Sequence, residues 1–305
     1  MGRASAPRTR GKPRARLRVT DKCRFGGETK ANHNCTVPAP DDGLPVQCVG
    51  SWSREKHDLL RRYLSASGGP RRRYLPPAPG GAAFIDIFAG PGRARIRTTG
   101  ALEDGSPLLA LKQPVGFTRL VLCEIEPENL DSLRRRVAGA QVPVSILEGD
   151  CNDRIADVAA AIPQWGLNVA LVDPYSLEGL SFDTIATLAR FKRMDLVVFF
   201  PVAEIKRNLE RNRVTYTALL DRALGTDEWQ RTVARKGDVL KLVEVFRRQL
   251  QERFGYTTAR ARTAPIKNDK NVPLYHLVFA SKHALGDKIW ESITRRTVGG
   301  QGELF

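Results

Sequence analysis

The chain has 305 residues, 42% hydrophobic and 27% charged, which suits one large α/β domain or two small ones. No apolar stretch approaches the roughly 18 residues that a membrane-spanning helix needs, so no membrane association of that kind is expected. The 49 Lys and Arg against 33 Asp and Glu leave a formal net charge of +16, a balance that favours nucleic acid as a partner through counterion release.

Residues 1–50 hold 10 basic and 4 acidic residues and show no hydrophobic periodicity. Arg3, Arg8, Arg10, Lys12, Arg14, Arg16 and Arg18 stand among Gly, Ser and Pro, and Pro38, Pro40 and Pro45 follow. This composition predicts a disordered basic tail over 1–50, with the folded domain over 51–305. No apolar segment follows the charges, so the tail does not read as a secretory signal. The five cysteines, Cys23, Cys35, Cys48, Cys123 and Cys151, are odd in number. They suit a reducing cytoplasm without a disulfide framework. Cys23, Cys35 and Cys48, with His33, contain no C-x-x-C pair, and no metal site is assigned to them.

A helix is expected from Ser51, capped by Ser51 or Ser53, with Trp52, Leu59, Leu60, Tyr63 and Leu64 on one face. It also carries Lys56 and His57, the latter read as a surface histidine. Pro70 to Gly81 reads as a basic linker. Then strands and helices alternate. Strands are predicted at 83–87, 119–123, 144–147, 167–172 and 196–200, and helices at 106–111, 127–137, 152–161 and 182–191. Alternation of this kind predicts a parallel sheet covered on both faces. Residues 202–254 read as an inserted helical segment or cap, including helices over 208–224 and from about 238. Strands at 257–262 and 274–280 and a helix at 285–295 follow. The fold class expected is α/β, a doubly wound Rossmann-like sheet with C-terminal antiparallel edge strands.

The stretch Phe84-Ile85-Asp86-Ile87-Phe88-Ala89-Gly90-Pro91-Gly92 is a buried strand breaking into a small-residue turn. Glycines there let backbone N–H groups approach a ligand closely. The first four strands of the alternation end in or near Asp86, Glu124, Asp150 and Asp173, which a parallel arrangement lines up along the edge where such sheets bind ligands. A nucleoside cofactor fits this series. Glu124 would accept from ribose hydroxyls, and Asp150 from an adenine amino group beside Cys151 and Asn152. Asp86, Phe88, Ala89, Gly90 and Gly92 would form the loop over the amino-acid end. A dinucleotide fold would need G-x-G-x-x-G and a P-loop a following Gly-Lys-Ser/Thr, and neither occurs. Five βα units followed by a hairpin edge match the class I S-adenosylmethionine methyltransferase plan, so S-adenosylmethionine is the cofactor expected.

Val172-Asp173-Pro174-Tyr175 resembles the Asp-Pro-Pro-Tyr signature of amino-methyltransferases, one proline short. In that signature the acid and the prolyl carbonyl accept from an exocyclic amino group while the aromatic ring stacks on the base. Asp173, Pro174 and Tyr175 are therefore the candidate catalytic residues. No Pro-Cys pair is present to supply the nucleophile of a cytosine C5 mechanism. Arg207, Arg211 and Tyr216 are candidates to line a nucleic-acid path.

Several stretches together resemble the three-Cys-motif partner protein family (TcmP). They are Trp52 with Lys56-His57 and Tyr63-Leu64; residues 85–93; Gly105 to Leu111; Glu124; Gly149 to Asn152; Val172 to Tyr175; Pro201 with Arg207-Asn208; Trp229; and Pro273 to His283. The likeness spans roughly 48–305. It implies a methyltransferase-like Rossmann domain and a separate partner with a three-cysteine, radical-S-adenosylmethionine-like motif. The cysteines of that motif belong to the partner, not to this chain. Two functions follow as expectations. One is an S-adenosylmethionine-dependent methyltransferase acting on or with DNA or RNA alongside that partner. The other is a non-catalytic partner subunit of a mobile-element or defence system.

Overall fold

The computed structural model describes residues 35–209, 213–233, 238–257 and 264–294. Part of the expected tail is folded. β1 (Thr36–Pro38) and β2 (Pro45–Val49) form an antiparallel hairpin. Val37, Val46 and Cys48 alternate inward and are buried, a period-2 pattern that the flanking prolines obscure in the sequence. The folded region therefore begins before residue 51, and residues 1–34 lie outside the described residues.

α1 (Trp52–Ala66) buries Lys56, Leu59, Leu60, Tyr63 and Leu64 along one face. α2 (Gly68–Arg72) occupies the start of the expected linker. Its Arg71 is 1% exposed and donates to the carbonyls of Leu64, Val115 and Gly116, with the guanidinium 4.1 Å from the Phe117 ring centroid. These bonds tie the segment down.

β3 (Ala83–Asp86) is buried along its whole length, as a central parallel strand must be. After the glycine turn come β4 (Arg93–Ile96) and β5 (Leu102–Asp104), in a stretch without a strand prediction. They complete a 4-stranded sheet in the order β1-β2-β4-β5. α3 (Ser106–Leu111), β6 (Arg119–Glu124), α4 (Pro127–Val137), β7 (Val144–Glu148), α5 (Cys151–Ala160), β8 (Asn168–Val172), α6 (Phe182–Ala189) and β9 (Met194–Phe200) then follow the expected alternation within a residue or two.

The helical segment resolves into α7 (Val202–Asn208), α8 (Arg213–Leu224), α9 (Trp229–Thr232) and α10 (Val239–Phe254). It is not a projecting cap. Leu242, Phe246 and Leu250 of α10 lie in the same core as β8 and β9, with the Phe246 and Phe200 rings 5.7 Å apart. β10 (Ala264–Lys267), β11 (Pro273–Ala280) and α11 (Ala284–Thr294) close the chain. The strand expected over 257–262 falls largely on 258–263, outside the described residues.

The main sheet has 7 strands in the order β10-β11-β9-β8-β3-β6-β7. All pairs from β9 to β7 are parallel, whereas β11 runs antiparallel to both β9 and β10. The antiparallel strand is thus second from the edge, and β10 at the edge runs with the parallel set. Ala83 and Ile85 face one core with α5, α6 and α10, while Phe84 faces the other with α1, α3, α4 and α11. This is the doubly wound, class I methyltransferase-like fold. Its strand order reverses between β3 and β8, which opens a crevice at their carboxyl ends.

Candidate active site

The crevice is built on Asp86. The residue is fully buried, and its Oδ1 accepts from the Phe88 N–H at 3.0 Å while Oδ2 accepts from the Ser106 hydroxyl at the start of α3. Burial pushes its carboxyl up to about 7, against the opposing effect of those two donors. Asp86 therefore shapes the loop from within. The Ala89 N–H donates to the Cys123 carbonyl at 3.0 Å, fastening the loop to β6.

Gly90 and Gly92 have φ of +60° and +85°, a region that side chains other than glycine rarely adopt. A Cβ at Gly90 would meet only Gln47 Oε1 within 4 Å, so the loop faces open space on that side. Gly92 instead packs against Leu133 and Arg136 of α4. Arg136, 4% exposed at its side chain, donates to the carbonyls of Leu44, Pro45 and Pro91 and to Asp42. One guanidinium thus clamps the β1–β2 hairpin beside the glycine turn. The pairing holds Asp42 down at about 2.

Glu124 is 7% exposed at the end of β6, and its Oε1 accepts from the N–H groups of Ile125 and Glu126 at 2.9 and 2.8 Å. Burial raises its carboxyl, while these groups, Asn129 and the Gly90 N–H favour the charged form. Asp150 caps α5, its Oδ1 accepting from the Asn152 backbone and side-chain N–H groups, both at 2.8 Å. Cys151 turns its thiol into the core and is 4% exposed. It can therefore offer a ligand its backbone but not its sulfur. Asn152 is occupied by Asp150, Gly179 and Thr184, so it serves the frame.

At the end of β8, Pro174 is buried and Tyr175 is 51% exposed. Asp173 Oδ1 is paired with Lys56 Nζ at 2.6 Å. The Lys56 ammonium lies 3.5 Å from the Tyr275 ring centroid and 4.6 Å from that of Phe199. Burial lowers the lysine's proton affinity, and Asp173 opposes that shift. Lys56 has no assigned role in the sequence reading, yet it is readable there as a lysine on the apolar stripe of Leu59, Leu60 and Tyr63. His57 points elsewhere, its Nδ1 lying 3.8 Å from Glu103 Oε2.

Burial raises the Tyr175 phenol and Tyr275 adds to this, while Arg97 and Arg207 act against it. These two arginines, from the end of β4 and from α7, are therefore within electrostatic reach of the exposed ring. Tyr216 does not line this mouth. It is buried, donates to Glu204 and accepts from Asn208 at 2.6 Å, and Glu204 in turn accepts from the Leu177 N–H at 2.7 Å. The triad braces the turn that follows Tyr175. Arg211 lies outside the described residues. Among the described residues, no group of three or more His, Cys, Asp or Glu is arranged to hold a metal ion.

No protein-family model matches the chain, and no curated protein matches it in sequence. Solved structures similar to it include protein LPL1258 from Legionella pneumophila, of family DUF519, at 13% identity, covering 78% of this chain and 91% of that one, with a TM-score of 0.43. The N-methyltransferase NodS from Bradyrhizobium japonicum in complex with S-adenosyl-L-homocysteine is 14% identical over 77% of this chain and 89% of its own, with a TM-score of 0.42. TYW2 of M. jannaschii in complex with AdoMet is 12% identical over 81% and 84%, with a TM-score of 0.37. At this distance the strand order and register, rather than these neighbours, define the fold.

Proposed function

We propose that the chain binds S-adenosylmethionine over the Asp86–Gly92 loop, Glu124 and Asp150, and directs methyl transfer to an amino group of DNA or RNA at Asp173-Pro174-Tyr175. The observation that carries this reading is the alignment of Asp86, Glu124, Asp150 and Asp173 along one sheet edge, beside a positive-φ glycine turn with open space above Gly90. When bound, the cofactor supplies an electrophilic methyl group. Asp173, positioned by its 2.6 Å contact with Lys56, accepts an N–H of the acceptor and aims the nitrogen lone pair. Tyr175 offers an exposed face for stacking, with Arg97 and Arg207 to draw in phosphates.

Calorimetry with S-adenosylmethionine tests the cofactor half. Wild type is expected to bind, and Gly90→Trp to lose binding by filling the open space; equal heats would remove the site from this loop. Transfer of a labelled methyl group to RNA or DNA tests the other half and is expected to vanish in Asp173→Ala. The association with a three-Cys-motif protein, as in the TcmP family, rests on the sequence resemblance, and co-purification of the two chains tests it. The missing second proline after Asp173 favours a rival, a non-catalytic binding subunit. Cofactor heat without transfer to either nucleic acid, with or without the three-Cys protein, selects the rival.

A further inference from the structure

Lys56 is buried, paired with Asp173 and placed where the reaction would occur. Three features set it apart from an ordinary surface lysine. Its Nζ lies 2.6 Å from Asp173 Oδ1 and is walled by the Tyr275 and Phe199 rings, so the chain surrounds the cation with one carboxylate and two π faces. Its helix is anchored below it, because Tyr63, two turns further along the same face, donates to Asp195 at the start of β9. Finally, Lys56 engages Oδ1 only, and Asp173 keeps its side chain 30% exposed, with Oδ2 accepting no bond among the described residues.

We infer that Lys56 is the positioning residue of the transfer site: it fixes Asp173 through one oxygen and leaves the other for the incoming amino group, so that the transferring group meets a paired rather than a lone carboxylate. This rests on the cofactor reading above. A lone carboxylate at that position would bind any cation placed there. Paired with an ammonium, it discriminates against a cationic acceptor and remains competent toward a neutral amine, which makes Lys56 a specificity element as well. A purely structural lysine would affect stability but not the preference for charge at the methyl position.

The test compares two cofactor analogues by calorimetry on the full chain. One is S-adenosylhomocysteine, which carries no charge on sulfur. The other is sinefungin, which carries an amine where the methylsulfonium would be. In Lys56→Met, sinefungin is expected to gain about tenfold relative to S-adenosylhomocysteine, because its ammonium then faces an unpaired carboxylate. Asp173→Asn should move the ratio about tenfold the other way, and Lys56→Arg should leave it near wild type. Ratios within about twofold of wild type in both Lys56→Met and Asp173→Asn would overturn the inference, as would loss of S-adenosylhomocysteine binding in Lys56→Met alone. If wild type binds neither analogue, the cofactor reading fails first and this inference falls with it.

Discussion

Asp86 sits fully buried at the end of β3 with its carboxyl near 7, and that single value has a consequence for stability. Unfolded, the carboxyl loses its proton near the ordinary aspartate value; folded, it keeps the proton to about 7. The folded state therefore binds more protons between those limits, and stability falls as pH rises through them. Urea midpoints should decline from pH 5 to pH 8, with Asp86 contributing about 2 to 3 kcal/mol. Asp86→Asn keeps an acceptor for the Phe88 N–H and should flatten part of this decline. Glu124 and Asp195, with Glu55 and Asp287, are also raised by burial and add to the decline in the same direction. An unchanged slope in Asp86→Asn would place the effect elsewhere. Gly92→Ala addresses the loop instead. At φ +85° the new side chain strains the turn, and a loss of about 1 to 2 kcal/mol is expected in thermal melts, together with weaker cofactor binding.

At the scale of elements, the hairpin of β1 and β2 depends on α4 through one side chain. Arg136 satisfies three carbonyls and Asp42 from a nearly dry position. Arg136→Met leaves those acceptors without their donor and should cost about 2 to 4 kcal/mol. Hydrogen exchange should accelerate at residues 45–49 and 90–92 while β8 and β9 stay protected. Uniform acceleration would show that the clamp serves the whole domain instead. α11 is held differently, by Trp290 stacked on Phe279 at 4.8 Å and packed edge-on to Tyr63. Trp290→Ala should cost about 3 to 5 kcal/mol in urea unfolding, as large aromatic truncations in cores do.

For the molecule as a whole, the net charge of +16 matters less than where the arginines stand. Arg97 and Arg207, from two elements distant in sequence, both act electrostatically on the Tyr175 phenol, and Arg97 also lies 5.7 Å from the Trp52 ring centroid. If nucleic acid approaches this mouth, Arg97→Glu with Arg207→Glu should weaken oligonucleotide binding and reduce the slope of log K against log salt by about two. The same pair of changes on a face unrelated to binding would leave that slope unchanged. Fluorescence anisotropy across a salt series reads both outcomes.

Most of the parallel sheet was legible in the sequence because each strand is a short apolar run, the first four of them closed by or near an acid, and each helix carries its own periodicity and boundary signals. α3 and α4, which start near or at a proline, match their expected spans residue for residue. The loop glycines and the order of the carboxylates were readable for the same reason: they are local in sequence and regular in spacing. The small sheet was not. Its strands are three to five residues long, broken by prolines and arginines, and are stabilised by partners distant in sequence, as where Gln47 of β2 pairs with Ala94 of β4. Nor could periodicity say that Asp150 caps a helix through its Oδ1, that Tyr216 braces a turn, or that α10 belongs to the core. The pairing of Lys56 with Asp173 spans 117 positions and needs α1, β8, β9 and β11 to meet. By itself the sequence determined the fold class and the edge of the sheet where a ligand would bind. Which charges face one another across that edge was decided only by tertiary packing, because burial and distance, not residue type, set the strength of an ion pair.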